Sequence, residues 1–140
     1  MKELIKIVMS MLIVFGVGVV RADVVVIVSA KSPITALTKD QVSDLFLGKV
    51  ATFPDGGQAV PIEQPDSVAA HDEFHSKVTG KTNVQIKSHW SRMVFTGKGS
   101  PPKEVPNSSE VKKLVAANPN MIGYVEKSAL DGSVKAVLSP

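Results

Sequence analysis

A layered α/β fold, one partly mixed sheet with helices on its faces, is what this sequence predicts, and three observations carry it. Runs of β-branched and apolar residues stand at residues 24–28, 60–62, 121–125 and 134–138. Between them lie segments that open on helix-capping residues and repeat apolar positions at i, i+3, i+4 spacing. Strands alternating with helices in so short a chain build layers, and strands this few fall short of a complete doubly wound sheet.

Ahead of the first strand, residues 1–22 read as a secretory signal peptide. Lys2 and Lys6 open it, an apolar run fills residues 7–20, and Val20-Arg21-Ala22 precedes Asp23. The apolar run is about 14 residues, short of the roughly 20 that a membrane span needs. The chain has no Cys, so a lipid-attachment cysteine is excluded, as are thiol chemistry, Cys-based zinc sites and c-type haem. Cleavage after Ala22 is expected to leave residues 23–140 as one periplasmic domain without stable membrane insertion.

The whole chain has 16 Lys+Arg against 13 Asp+Glu. Residues 1–22 hold Lys2, Lys6, Arg21 and Glu3, which leaves 13 basic and 12 acidic residues over 23–140. The basic balance therefore belongs to the export signal, and no nucleic-acid partner is expected.

Asp23-Val24-Val25-Val26-Ile27-Val28 is a continuous β-branched run, the pattern of a strand covered on both faces. Pro33 breaks off further pairing. Thr38 and Gln41 have capping-box spacing, Val42, Leu45 and Phe46 share one face, and Gly48 stops the helix. The turn-forming 53–57 segment, FPDGG, leads into a short strand at Val60 and Ile62. Residues 63–66 then read as a polar turn, followed by a helix over residues 68–78 that ends at Gly80. Its core face is read at Ala70, Phe74 and Val78.

A second capping box, Thr82 with Gln85, opens a helix carrying Ile86, Trp90 and Met93. Residues 96–106, with two Gly and three Pro, read as an irregular crossing loop. Asn107 to Glu110 cap a further helix that turns Val111, Leu114 and Val115 inward. Strands at 121–125 and 134–138 close the chain, and the last is expected to share a sheet with residues 24–28.

Several phrases, in order, resemble the phosphate-type substrate-binding proteins of ABC transporters. They are VVVIVSAKSPITALTKDQVSDLFLGK, AVPIEQPDS ahead of a helix, and NPNMIGYVEKSAL. Within them Leu37-Thr38, Phe46-Leu47-Gly48-Lys49, and Pro119 with Ile122, Gly123, Tyr124 and Val125 match the family's pattern. The resemblance implies a single lobe of the type II periplasmic-binding-protein fold, similar to the family's second lobe with its entering and leaving strands. It also implies a small oxyanion such as phosphate as ligand, an ABC permease or another envelope protein as partner, no enzymatic activity and no cofactor.

The ligand site implied by the resemblance is the strand-to-helix junction, where unpaired N–H groups at a helix start favour an anion. Its candidate residues are Gln64, Ser67, Val68, Ala69, Ala70 and His71. The family places an Arg near Gln64 and Ser-Gly-Thr-Arg where Val68-Ala69-Ala70-His71 stands here. Each charge-assisted hydrogen bond lost removes roughly 1.5–3 kcal/mol. A micromolar site would fall to about millimolar, since each 1.4 kcal/mol is tenfold. The site is thus expected in eroded form, with an envelope protein–protein interaction module as the rival function.

Other patterns are weaker. His71 and His75 have the i, i+4 spacing of metal ligands, but no Glu follows His71, and two half-exposed residues flanking Phe74 are expected instead. Gly97-Lys98-Gly99 lacks the rest of a phosphate loop. Without a Gly-x-Ser-x-Gly elbow, Ser88, His89 and Ser91 read as helix surface rather than a triad.

Overall fold

The computed structural model describes residues 23–140, so the signal peptide read over residues 1–22 lies outside the described residues. The fold is a five-stranded mixed sheet flanked by helices. Its strands are β1 (Val24–Ser29), β2 (Val60–Glu63), β3 (Lys103–Glu104), β4 (Met121–Glu126) and β5 (Val134–Leu138). They lie in the order β3-β2-β4-β1-β5. β1 runs antiparallel to both neighbours, pairing Val26 with Tyr124 on β4 and Ile27 with Ala136 on β5. β2 runs parallel to β3 and β4. The expected partnership of the first and last strands is thus present as direct neighbours.

Every residue of β1 is buried because helices cover both faces of the sheet. Val24, Val26 and Val28 join a core with Phe46 of α1 (Lys39–Phe46) and Phe74 of α2 (Ala69–Phe74). Val25 and Ile27 turn the other way, into a core with Val111 and Val115 of α4 (Ser108–Ala117). On that second face Gly123 lets α4 come close. A Cβ there would stand 2.5 Å from Val111 Cγ1, closer than carbon atoms tolerate.

The helix starts follow local chemistry. Thr38 and Thr82 each accept from the amide of the Gln three residues on, and each Gln side chain accepts from the cap's own N–H. Asn107 caps α4 by accepting from the Glu110 amide. α3 (Asn83–Phe95) leans on the end of α1 through a small cluster of Leu47, Ile86 and Trp90.

Three expectations need correction. The helix read over residues 68–78 is α only to Phe74 and continues as a π-turn over His75–Thr79, with Gly80 N–H donating to His75 O at 2.7 Å. The crossing loop contains the edge strand β3. Glu63 is not in a turn but is the last residue of β2. Among the described residues no helix is long and apolar enough to cross a membrane.

Candidate functional site

β2 alternates like any strand. Ile62 enters the α4-side core, and Glu63 therefore points to the opposite face, where Phe74 and Tyr124 pack. A carboxylate sent into that layer needs partners, because an unpaired buried charge is costly. α2, the π-turn that continues it and β4 supply them. His75 Nε2 donates to Glu63 Oε2 at 2.9 Å, and His71 Nδ1 lies 3.3 Å from Glu63 Oε1. The Tyr124 hydroxyl donates to Glu63 Oε1 as well. Glu63 is 8% exposed, His71 5% and His75 1%.

The histidines are oriented in turn. His71 Nδ1 donates to Gln64 O at 2.8 Å, and His75 Nδ1 bonds Thr79 Oγ1 at 2.9 Å within the π-turn. The Phe74 ring stacks on Tyr124 with centroids 4.1 Å apart and locks the phenol in place. Burial by itself raises the Glu63 pKa, but hydrogen bonds from His71, His75 and Tyr124 and the charge of His75 outweigh it and lower it to about 2. Burial depresses His71, yet its hydrogen bond and attraction to Glu63 win and raise it above the ordinary value. The Tyr124 phenol is raised, by burial first and then by the Glu63 charge, so it stays a donor.

Sequence reasoning missed this cluster. The two histidines, expected half-exposed, are buried on the same helix face as Phe74. The available signal was the spacing His71, Phe74, His75, Val78, which is i, i+3, i+4, i+7.

The proposed ligand residues separate into two groups. Gln64 is 1% exposed, and its amide donates inward to Tyr124 O at 2.8 Å and toward Ser108 Oγ. His71 is committed at Nδ1 to Glu63 and Gln64, and its ring lines a cleft. Val68 N–H donates to Pro65 O, whereas the N–H groups of Ser67, Ala69 and Ala70 find no acceptor among the described residues. Val68 stands at the helix N-cap in extended conformation with no side-chain cap.

The cleft has a volume of about 820 Å³ and lies between α3, the end of β2 and the 101–104 segment. Glu63 and His71 form part of its wall, and Ile86, Trp90, Val94 and Phe95 form its apolar side. Asp66, Glu104 and Lys87 also line it, with Lys87 paired to Asp66 at 3.1 Å.

No protein-family model matches the sequence, and no curated protein does. Solved structures do match. An ABC-type phosphate transport receptor from Vibrio cholerae aligns with TM-score 0.66 and 20% identity, over 82% of this chain and 45% of that one. A candidate phosphate ABC transporter substrate-binding protein from Clostridium perfringens, solved with bound phosphate, aligns with TM-score 0.65 and 24% identity over 82% and 44%. This chain has the fold of a periplasmic-binding-protein lobe. A third match, PstS from Borrelia burgdorferi, has TM-score 0.61 at 14% identity, covering 82% of this chain and 46% of its own. The chain thus spans less than half the length of the binding proteins it is similar to, in keeping with a single-lobe form.

Proposed function

We propose that the chain is an exported, non-enzymatic oxyanion-binding lobe of the phosphate-transport type, with its anion site at the β2–α2 junction in weakened form. The observation that carries this reading is the set of N–H groups at Ser67, Ala69 and Ala70, which lack acceptors at a strand-to-helix junction in this fold. Such groups favour an anion. Weak binding is supported by the charges nearby. Lys87 is already paired with Asp66, and Glu104 adds a second carboxylate to the cleft. Export is supported by the residue 1–22 pattern, and N-terminal sequencing of the mature protein should read from Asp23.

The test is thermal unfolding of the purified protein with phosphate, sulfate and small carboxylates at matched ionic strength. A ligand at a hundred times its Kd adds about 2.7 kcal/mol. Stabilisation by at least one oxyanion is expected, and none at 100 mM contradicts the reading.

A second reading, an envelope protein–protein interaction module, is favoured by one feature. Phe95 is 92% exposed and Val94 55%, side by side at the cleft's lip. Large apolar groups left in water mark contact surfaces. Phe95→Asp would then leave the melting temperature unchanged but abolish cross-linking to an envelope partner.

A further inference from the structure

The cluster under the cleft is more than an ion pair. Glu63, His71 and His75 each offer a ligand atom, and the three atoms lie within 4.8 Å of one another. Glu63 stands 2.9 Å from His75 Nε2 and 3.3 Å from His71 Nδ1. Tetrahedral ligands at zinc bond lengths sit about 3.3 Å apart. The donor set, two imidazole nitrogens and one carboxylate, suits zinc and its neighbours rather than calcium or magnesium.

The surroundings fit as well. A ligating histidine ordinarily holds its second ring nitrogen in a hydrogen bond, which fixes the tautomer. His75 meets this, with Nδ1 on Thr79 Oγ1 and Nε2 facing Glu63. The π-turn that presents Thr79 is a helix irregularity frequent at functional sites. The Tyr124 hydroxyl holds the carboxylate at Oε1, the oxygen that faces His71. His71 Nδ1 also donates to Gln64 O, so ligation there displaces one proton and leaves that carbonyl oxygen beside the ion. Glu63 and His71 both reach the cleft wall, so a fourth position opens to solvent.

We propose that Glu63, His71 and His75 form a binding site for one divalent transition-metal ion of the zinc class, with its open coordination position facing the cleft. The site stands independently of any oxyanion at the start of α2, and its assay contains no phosphate, sulfate or carboxylate.

The protein, stripped with chelator, is titrated with Zn²⁺ by calorimetry in chloride buffer at neutral pH, and with Co²⁺ by visible absorption. One ion per chain, a raised melting temperature and an intense tetrahedral Co²⁺ band are expected. His75→Gln and His71→Gln should each abolish stoichiometric binding. Thr79→Val replaces no ligand but removes the hydrogen bond that holds His75 Nδ1, and should weaken binding by roughly 10–100-fold. His89→Gln, on the partly buried histidine bonded to Leu47 O, should leave it unchanged. Should the His71 and His75 variants fail to fold, the wild-type imidazole ¹⁵N spectrum decides, because ligation shifts His75 Nε2 and not the His89 nitrogens. Failure of the wild type to bind one equivalent, undiminished binding in folded His75→Gln, or an unshifted His75 Nε2 overturns the proposal and leaves a structural ion-pair cluster only.

Discussion

Glu63 is held ionised by neighbouring side chains instead of by water, and its removal should be felt at once. Glu63→Gln keeps the shape but strips the charge that faces His71 and His75. Breaking a buried pair of this kind costs about 3–5 kcal/mol, measurable by urea unfolding at neutral pH. The pH dependence has two branches of opposite sign. The Glu63 pKa falls from 4.5 to about 2, so its stabilisation is complete above about pH 4.5 and is lost as pH drops toward 2. His71 is raised above 6.5, so its contribution is complete below 6.5 and is lost as pH climbs through the higher folded value. Unfolding free energies should therefore peak between about pH 4.5 and 6.5, and Glu63→Gln should flatten both flanks. A variant that keeps the wild-type profile would show that the cluster does not set it.

Among the elements, the approach of α4 to β4 rests on Gly123. Gly123→Ala drives a methyl group into Val111 Cγ1, and overpacking of this kind costs about 1–3 kcal/mol. Val111→Ala in the same chain should restore part of that loss, which a double-mutant cycle by thermal unfolding would register as coupling of roughly 0.5 kcal/mol or more. The sequence pattern Ile122, Gly123, Tyr124 was legible as family resemblance, but its reason is geometric: Ile122 and Tyr124 turn to one core, and Gly123 makes room for the helix over the other. Helix starts were legible because capping is local chemistry; Thr38 with Gln41, Thr82 with Gln85, and Asn107 all act where their spacing says. β3 was not legible, since Lys103 and Glu104 are exposed and become a strand only by pairing with Ile62 and Glu63. Nor was the buried cluster. A stripe counted every four residues from Ala70 passes through Phe74 and Val78 and leaves both histidines off the core face. The i, i+3, i+4 stripe from His71 brings them in, and the carboxylate they meet arrives from another element.

Across the whole molecule, the sheet carries a core on each face, and the proposed anion site lies at its β2–α2 junction beside the cleft. The region shared with the Vibrio receptor is 45% of that receptor's length, and in the proposed weakened site this lobe meets an anion mainly through backbone N–H groups. Affinity then depends on few contacts, and single N–H donors become measurable. Ala69 is the first residue of α2, and Val68 before it is extended at φ −99° and ψ 142°. A first-turn position preceded by an extended residue suits proline, so Ala69→Pro deletes one donor and keeps the fold. Phosphate titrated calorimetrically into the wild-type protein and into Ala69→Pro is the most direct test of a backbone-held oxyanion site. The expected result is a Kd on the order of millimolar for the wild type and about fivefold weaker binding for the variant, one neutral hydrogen bond's worth. Equal affinity in the two proteins, or no binding heat in either, would contradict it.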